Sequence, residues 1–417
     1  MTTPSFSRLG TANTYDTALG NLSARQTALA NAQERLTSGK RVNTASDDPT
    51  AAAQAERALT RITRIQTDQR ALEAQKSAIG QAESTLGDVN DALQNFRELV
   101  VSAGNGTYSA AERKSIAGQL SGLRDQVFAL ANRKDTNGQP LFGALASALT
   151  PFVGPQAAAP DYTFNGLPGQ SSSAENAIAF ALDGDSAFML QANRDGAYNV
   201  SVSAIPTARA LTTDTASVTS ASAITGAAYT VDITAVDTTT VPGTTTVSYN
   251  LTATPPGTVS PQTAPGYPST QAANIAVVGM AGLALTLKGT PAVGDSVTIT
   301  PSPSIFSVLD NAIRDIGGAA NNNAALQSVG QALGNIDIGM GRISAARGQA
   351  GDLLNRADRI SANQEKRSIQ LEGDRSRAED LDMVKGISDF QNQQTGYQAA
   401  LQSYAQVQKL SLFNYIS

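Results

Sequence analysis

The stretch Ile65-Gln-Thr-Asp-Gln-Arg-Ala-Leu72-Glu-Ala-Gln-Lys-Ser-Ala-Ile79-Gly-Gln-Ala-Glu-Ser-Thr-Leu86-Gly-Asp-Val-Asn-Asp-Ala-Leu93-Gln-Asn-Phe-Arg-Glu-Leu-Val100 carries an aliphatic residue at every seventh position. Ala82, Val89 and Phe96 occupy the companion position of the later repeats. Five such repeats mark a helix that packs along one seam against other helices. The seam is imperfect, since Asp68 and Gln75 take the companion position early and Gly80 and Gly87 each cost the helix about 1 kcal/mol. The pattern therefore predicts a long helix in a bundle rather than an isolated two-stranded coil. Asp48 is placed to cap its first turn, Pro49 suits the first helical position, and the charge of Asp47 favours the helix dipole. Run to Ala103, such a helix is roughly 80 Å long at about 1.5 Å per residue.

Outward from this helix the sequence stays helical on one side and changes character on the other. Before it, Leu19, Leu22, Gln26, Leu29, Gln33 and Leu36 alternate spacings of three and four up to Ser38-Gly39, a shorter amphipathic helix. After the Gly104-Asn105-Gly106 break, Ser109 and Glu112 have capping-box spacing ahead of a helix through Leu120, Leu123, Val127 and Leu130, and Asp135 to Gly138 is a turn. The C-terminal arm begins with an apolar helix from Ile305 to about Ile316, ended by Gly317-Gly318 and the Asn321 to Asn323 run. A further stretch through Leu326, Val329, Leu333, Ile336 and Ile343 is expected to be interrupted at Gly339 and Gly341 and to continue through Leu353, Leu354 and Ile360. The last segment carries Leu381, Val384, Ile387, Phe390, Tyr397, Leu401, Tyr404 and Leu410 at mostly helical spacing.

Between the arms the composition shifts. Of 17 prolines, 14 lie from Pro151 to Pro303, and residues 151–304 hold only 12 of the 65 charged side chains. Alternation at Tyr229, Val231, Ile233, at Val247, Tyr249, Leu251, at Leu283, Leu285, Leu287 and at Val297, Ile299 predicts antiparallel strands with one buried face. The fold class that follows is α+β: a long helical coiled-coil bundle formed by the N- and C-terminal arms, with an inserted, mainly antiparallel β-domain. The expected divisions are terminal helices over 1–45 and 375–417, a helical bundle over 46–150 and 305–374, and the β-domain over 151–304.

The chain has 417 residues, no Cys, no His and no Trp, which excludes Ser-His-Asp and Cys-His catalysis and thiolate or imidazole metal sites. A formal charge of -5 with interspersed signs leaves no nucleic-acid or anionic-membrane footprint, and no apolar run reaches membrane-spanning length. The first ten residues lack a secretory signal, so a cytosolic location or export by a route that reads another signal is expected. Asp183-Gly184-Asp185-Ser186 resembles part of a calcium loop but lacks the later ligands and is expected to be a turn. The pairs Asp47/Asp48 and Asp380/Asp382 fit capping and solvated faces better than carboxylate catalysis, which needs a cleft that separates two pKa values. Tyr397 and Tyr404 fit a packing seam better than a stacking site. Catalytic, cofactor and metal residues are therefore all expected to be none.

The connector Arg35 to Pro49 is the candidate site. Lys40 and Arg41 beside Asp47 and Asp48 can form a local ion-paired knot or contact a neighbouring subunit, and composition leaves both open.

At Leu36-Thr37-Ser38-Gly39-Lys40-Arg41-Val42-Asn43 and Ser46-Asp47-Asp48-Pro49 the chain resembles the flagellin superfamily of bacterial flagella, and within it the flagellar hook-associated protein 3 family. A filament flagellin would more typically show Ser-Gly-Leu-Arg-Ile-Asn and Asp-Asp-Ala-Ala-Gly there. Similar matches are Ser102 to Thr107, Gly122 to Gln126, Asp135 to Phe142, Val293 to Val297 and Gln393 to Ala399 through Leu410 to Phe413, whereas residues 205–285 are peculiar to this chain.

The resemblance implies a structural protein of the hook-filament junction, without cofactors, exported unfolded by the flagellar type III apparatus and located in the extracellular flagellum. It implies that the chain assembles with itself, meets a neighbouring hook-associated protein on the hook side and flagellin on the filament side, and is held before export by a cytosolic chaperone at its C-terminal helix. No nucleic acid and no membrane are partners. The residues expected to carry this are the motif Ser38, Gly39, Lys40, Arg41, Val42, Asn43, Ser46, Asp47, Asp48 and Pro49, and the terminal seam Leu19, Leu22, Leu29, Leu36, Phe390, Tyr397, Leu401, Tyr404 and Leu410. A seam interleaved with Gln26, Gln33 and Gln394 is too polar to fold stably alone, so the terminal helices are expected to be largely disordered in the monomer. The alternatives are a filament flagellin or minor filament subunit, and, in another class, a surface adhesin or glycan-binding module carried by the Thr-rich middle.

Overall fold

A computed structural model describes residues 6–145, 150–157, 161–171, 174–204 and 210–416; within the terminal helices the side chains of residues 6–12, 14, 407 and 409–416 lie outside the description. The helices are α1 (Phe6–Ser38), α2 (Pro49–Ala103), α3 (Ala110–Ala131), α4 (Gly184–Phe188), α5 (Ala192–Asp195), α6 (Ile305–Gly317), α7 (Asn322–Glu379) and α8 (Met383–Ile416). The chain forms two compact units, one of residues Met1–Arg70 with Ser361–Ser417 and the other of Ala71–Ile360.

In the first unit the early part of α2 and the end of α7 share a thin apolar contact of Ile62, Ile65 and Leu371. The helices α1 and α8 run side by side in it.

The second unit holds two cores. In the helical one the heptad is buried as expected: Leu72, Ile79, Leu86, Leu93 and Val100, with Ala82, Val89 and Phe96, face α3, α6 and α7. Gln75, the polar companion, is buried because its Oε1 accepts a hydrogen bond from Ile178 N at 3.0 Å. The Ser109/Glu112 capping box is formed at the start of α3. Asp135 closes the turn that follows, accepting at Oδ1 from Asn137 N and Gln139 N at 2.8 Å.

The expected interruption at Gly339 and Gly341 does not occur, since α7 is continuous across both. Gly339 is a contact point: a Cβ there would fall 2.0 Å from Ile305 Cδ1, so the missing side chain is what lets α6 lie against α7. Gly341 meets nothing within 4 Å, and the neighbouring turns carry the helix through it.

The described residues between 141 and 197 join this helical core. Six of the eleven phenylalanines, Phe128, Phe142, Phe152, Phe164, Phe188 and Phe306, cluster with Tyr162, with ring centroids 5.2 to 5.7 Å apart. The strands β1 (Phe152–Val153) and β2 (Thr163–Phe164) pair antiparallel beneath them. Tyr162 Oη donates to Asp310 Oδ2 at 2.6 Å and accepts from Arg124 Nη1 at 2.9 Å; burial, then this hydrogen bond, pushes its phenol well up. The segment Asp183 to Ser186 is a helix start rather than a plain turn, because Asp183 Oδ1 accepts from Asp185 N at 3.1 Å and caps α4.

The other core lies between two antiparallel sheets. The strands are β3 (Tyr198–Ser203), β4 (Leu211–Thr213), β5 (Ser217–Val218), β6 (Ala228–Asp237), β7 (Thr244–Thr254), β8 (Thr258–Thr263), β9 (Tyr267–Pro268), β10 (Ala273–Val277), β11 (Leu283–Gly289) and β12 (Ser296–Pro301). One sheet has the order β3-β12-β6-β7-β8 with β9 on β7; the other has β10-β11-β4 with β5 on β11. The predicted alternation at β6, β7, β11 and β12 puts Val231, Tyr249, Leu251, Leu285 and Ile299 inward. Tyr249 Oη and Tyr229 Oη accept from Val278 N and Ala281 N at 3.0 and 3.2 Å, tying the sheets across this core. Helix α7 holds the domain through amides four residues apart, Gln327 on Thr213, Gln331 on the Asp214 carbonyl and Asn335 on the Tyr198 carbonyl.

The two α7 glycines separate two effects. Gly341→Ala removes a helix-breaking residue in open space and is expected to stabilise by up to about 1 kcal/mol. Gly339→Ala gains the same propensity but forces Ile305 to move in a packed core, at about 1–3 kcal/mol, and is expected to destabilise on balance. Urea unfolding of the two variants beside the parent chain checks the opposite signs.

Candidate functional site

The motif segment lies where the α1–α2 connector meets the α7–α8 connector. Gly39 turns the chain out of α1 at φ +68°, a left-handed conformation that a residue with a Cβ takes at roughly 1–2 kcal/mol. Ser38 Oγ accepts from Lys40 N at 3.3 Å. From there the two connectors pair as a short antiparallel ladder: Lys40 bridges Asp380, Leu381 N donates to the Gly39 carbonyl at 2.9 Å, and Arg41 N donates to the Glu379 carbonyl at 2.7 Å.

Side chains tighten this ladder. Lys40 ion-pairs with Glu379. Arg41 Nη2 donates to the Ala378 carbonyl at 2.8 Å while its Nη1 lies 3.5 Å from Asp48 Oδ2. Val42 is buried with Ala51, Ala55 and Ala378, the one apolar anchor of the motif. Thr44 and Ser46 share a hydroxyl hydrogen bond at 2.7 Å.

The two aspartates divide the remaining work. Asp48 Oδ1 accepts from Ala51 N at 3.0 Å and Thr50 N at 3.1 Å, capping α2 just before Pro49, its first residue. Asp47 has a role that the sequence reading did not give it: its Oδ2 accepts from Asn43 N and Thr44 N, each at 3.0 Å, and closes the preceding turn. These backbone donors, Thr44 first for Asp47 and Ala51 first for Asp48, hold both carboxyls below their ordinary value of 3.8. The segment thus forms the local knot that composition left as one of two possibilities.

The terminal seam is resolved into two faces. Leu22, Leu29 and Leu36 are half-buried together with Ala18 and Ala32, and on α8 the half-buried row is Phe390, Gln393, Tyr397, Ala400 and Tyr404. The helices are antiparallel and close: a Cβ on Gly386 would meet Leu36 Cδ2 at 3.2 Å, and one on Gly396 would meet Arg25 Nη1 at 2.5 Å. Tyr404 Oη donates to Tyr15 Oη at 2.8 Å. Leu19 and Leu401 face outward at 48% and 40% exposure, as do Gln26 and Gln33, and Val384 is 82% exposed with Met383 and Ile387 beside it. Leu410 lies on α8, its side chain outside the described residues. Sequence reasoning missed the small and polar members, Ala18, Ala32, Gly386, Gln393 and Ala400. The alternating three-four spacing of 386, 390, 393, 397, 400 and 404 was the signal that could have found them.

Among the described residues no group of three acidic, His or Cys side chains is placed to hold a metal, and no helix is long and apolar enough to cross a membrane.

Because the pKa of Asp47 and Asp48 is lower folded than unfolded, their contribution is complete above the ordinary carboxylate value and is lost as pH falls through the folded values, below 3.8. Amide exchange at Arg41, Val42 and Leu381 is expected to speed up in that window before the second unit unfolds. Independently, Gly39→Ala is expected to cost about 1 kcal/mol by hydrogen exchange at the same amides.

Two family models match the chain, the bacterial flagellin N-terminal helical region over residues 10–146 and the bacterial flagellin C-terminal helical region over 333–416, together more than half of it. Flagellar hook-associated protein 3 of Salmonella typhimurium is 36% identical over 149 residues, 35% of this chain and 46% of that protein. The protein of the same name from Escherichia coli is 40% identical over 123 residues, 28% of this chain and 38% of that protein. The chain thus matches less than half the length of these relatives. The crystal structure of the flagellar junction protein FlgL from Legionella pneumophila superposes with a TM-score of 0.57 at 25% identity, over 73% of this chain and 99% of that one. The flagellin of Serratia marcescens is 35% identical over 121 residues, and the chain belongs to the bacterial flagellin superfamily, where it is similar to flagellar hook-associated protein 3.

Proposed function

We propose that this chain is a structural subunit of the junction between the hook and the filament, built by self-assembly and without covalent chemistry. The observation that carries this reading is the α1/α8 pair, whose single shallow seam leaves Leu19, Met383, Val384, Ile387 and Leu401 in water. Two helices that bury one face between them and expose apolar residues on the next offer a surface that neighbours complete. In the assembled layer the terminal helices, about 1–45 and 375–417, form the inner contact and the β-domain the outer surface. The bundle of 46–150 with 305–374 bears the load. The knot at Gly39 to Asp48 fixes where the terminal pair starts, so that neighbours meet it in one register.

The polar seam makes the pair marginal in the free chain, and burial against neighbours orders it, which restrains assembly before export. A hook-associated protein on the hook side, flagellin on the filament side and a cytosolic chaperone on α8 are the partners of this reading, with the extracellular flagellum as its location.

The test is electron microscopy of cells lacking the chain, with an assay of the medium for flagellin. Hooks without filaments and flagellin lost to the medium are expected; normal filaments would reject the junction role. In complemented cells, replacing Leu401 and Tyr404 together with Asp is expected to block filament growth while the purified variant keeps the strand signal of the parent in circular dichroism. Normal growth with that variant would remove the terminal seam from the assembly surface.

A further inference from the structure

The first turns of α2 and the last turns of α7 enclose a shallow groove with an apolar floor that includes Ala58 and Leu371. Its rim carries two neutralised pairs, Arg41 with Asp48 and Arg377 with Asp374, and along α2 a cationic edge. Arg57 and Arg61 line it without an ion pair or hydrogen bond among the described residues, and Arg64 extends the same row by one turn. Positions 57, 61 and 64 share one helix face, where unpaired like charges repel one another unless something neutralises them. Farther along α2, Asp91 and Glu98 form the opposite pattern, exposed, likewise without a partner among the described residues, and separated by the polar Gln94 and Asn95. Their separation of seven residues, about 10 Å along a helix, equals that of Arg57 and Arg64.

We propose that the cationic edge of this groove in one copy receives the acidic α2 face, Asp91 and Glu98, of a second copy. The contact deepens the assembly reading above and rests on it, adding a charged surface separate from the terminal helices. A row of three guanidinium groups over a small apolar floor fits a helix that carries two carboxylates at matched spacing. A chain of net charge -5 with so short a row is poorly suited to a nucleic acid or an anionic membrane. The two patches differ, so the contact is head-to-tail and closes into a ring or continues as a helix, rather than stopping at a two-fold dimer.

Charge exchange tests the pairing on the full chain. One variant carries Arg57→Glu, Arg61→Glu and Arg64→Glu; the other carries Asp91→Arg and Glu98→Arg. All five positions are exposed, and unchanged circular dichroism and melting confirm that each variant folds. In sedimentation velocity at low salt, the parent chain is expected to self-associate with rising concentration and to lose this at 0.5 M salt, where screening falls within about 5 Å. Each variant alone is expected to associate at least about tenfold more weakly, and an equimolar mixture to regain association, because each supplies the patch the other has inverted. A parent chain that stays monomeric at low salt, single variants that associate like the parent, or a mixture no better than its components would each overturn the proposal. Retention of the parent chain on isolated flagella is scored separately. Its absence there would reject the junction role without altering the sedimentation result.

Discussion

Among the described residues α1 and α8 pack along each other, and the assembly reading depends on how little that contact buries. In the second unit the heptad of α2 sits inside a bundle, and its apolar seam residues from Leu72 to Val100 are 3% exposed or less. In the first unit α1 and α8 meet along alternate leucines and aromatics, separated by glutamine, alanine and glycine, and none of Leu22, Leu29, Leu36, Phe390, Tyr397 or Tyr404 is fully buried. Apolar burial is worth about 25 cal/mol per Å² while ordering a residue costs about 1–2 kcal/mol, so a two-helix contact of this kind is close to balance by itself. A deeper seam would fold firmly in the free chain.

The knot limits the cost of this arrangement. It pairs the connectors through backbone hydrogen bonds at Gly39, Arg41 and Leu381 and buries Val42 against three alanines. Most of its polar groups find partners within a few residues or on the facing connector, so the ends of four helices are fixed together with few apolar side chains. With the origin of α1 and α8 set in this way, their exposed apolar residues keep one register relative to the knot.

Much of this was legible in the sequence. The heptad, the Asp48 cap with Pro49, the capping box at Ser109 and the alternation of β6, β7, β11 and β12 are local patterns, and each formed where its spacing placed it. What was not legible depended on partners distant in the chain. Gly339 looks like a helix breaker until Ile305 is placed on it. Nothing in residues 141–197 announces that their aromatic side chains complete the helical core while the chain from Tyr198 onward builds another. Strands β8 and β10 are too polar or too small to alternate visibly. In the terminal seam Leu22, Leu29 and Leu36 face the α8 side while Leu19 and Leu401 turn outward, and the alanines and glycines were not found, because a hydrophobic pattern records large side chains and close approach is made by small ones.

The most direct test of the central claim is hydrogen exchange of the full chain, compared between the free protein and the protein in isolated flagella. The account predicts that amides of α1 and α8 exchange quickly in the free chain and become protected by orders of magnitude in the assembly, while the buried heptad from Leu72 to Val100 is equally protected in both. Terminal helices that are as protected in the free chain as that heptad would contradict it.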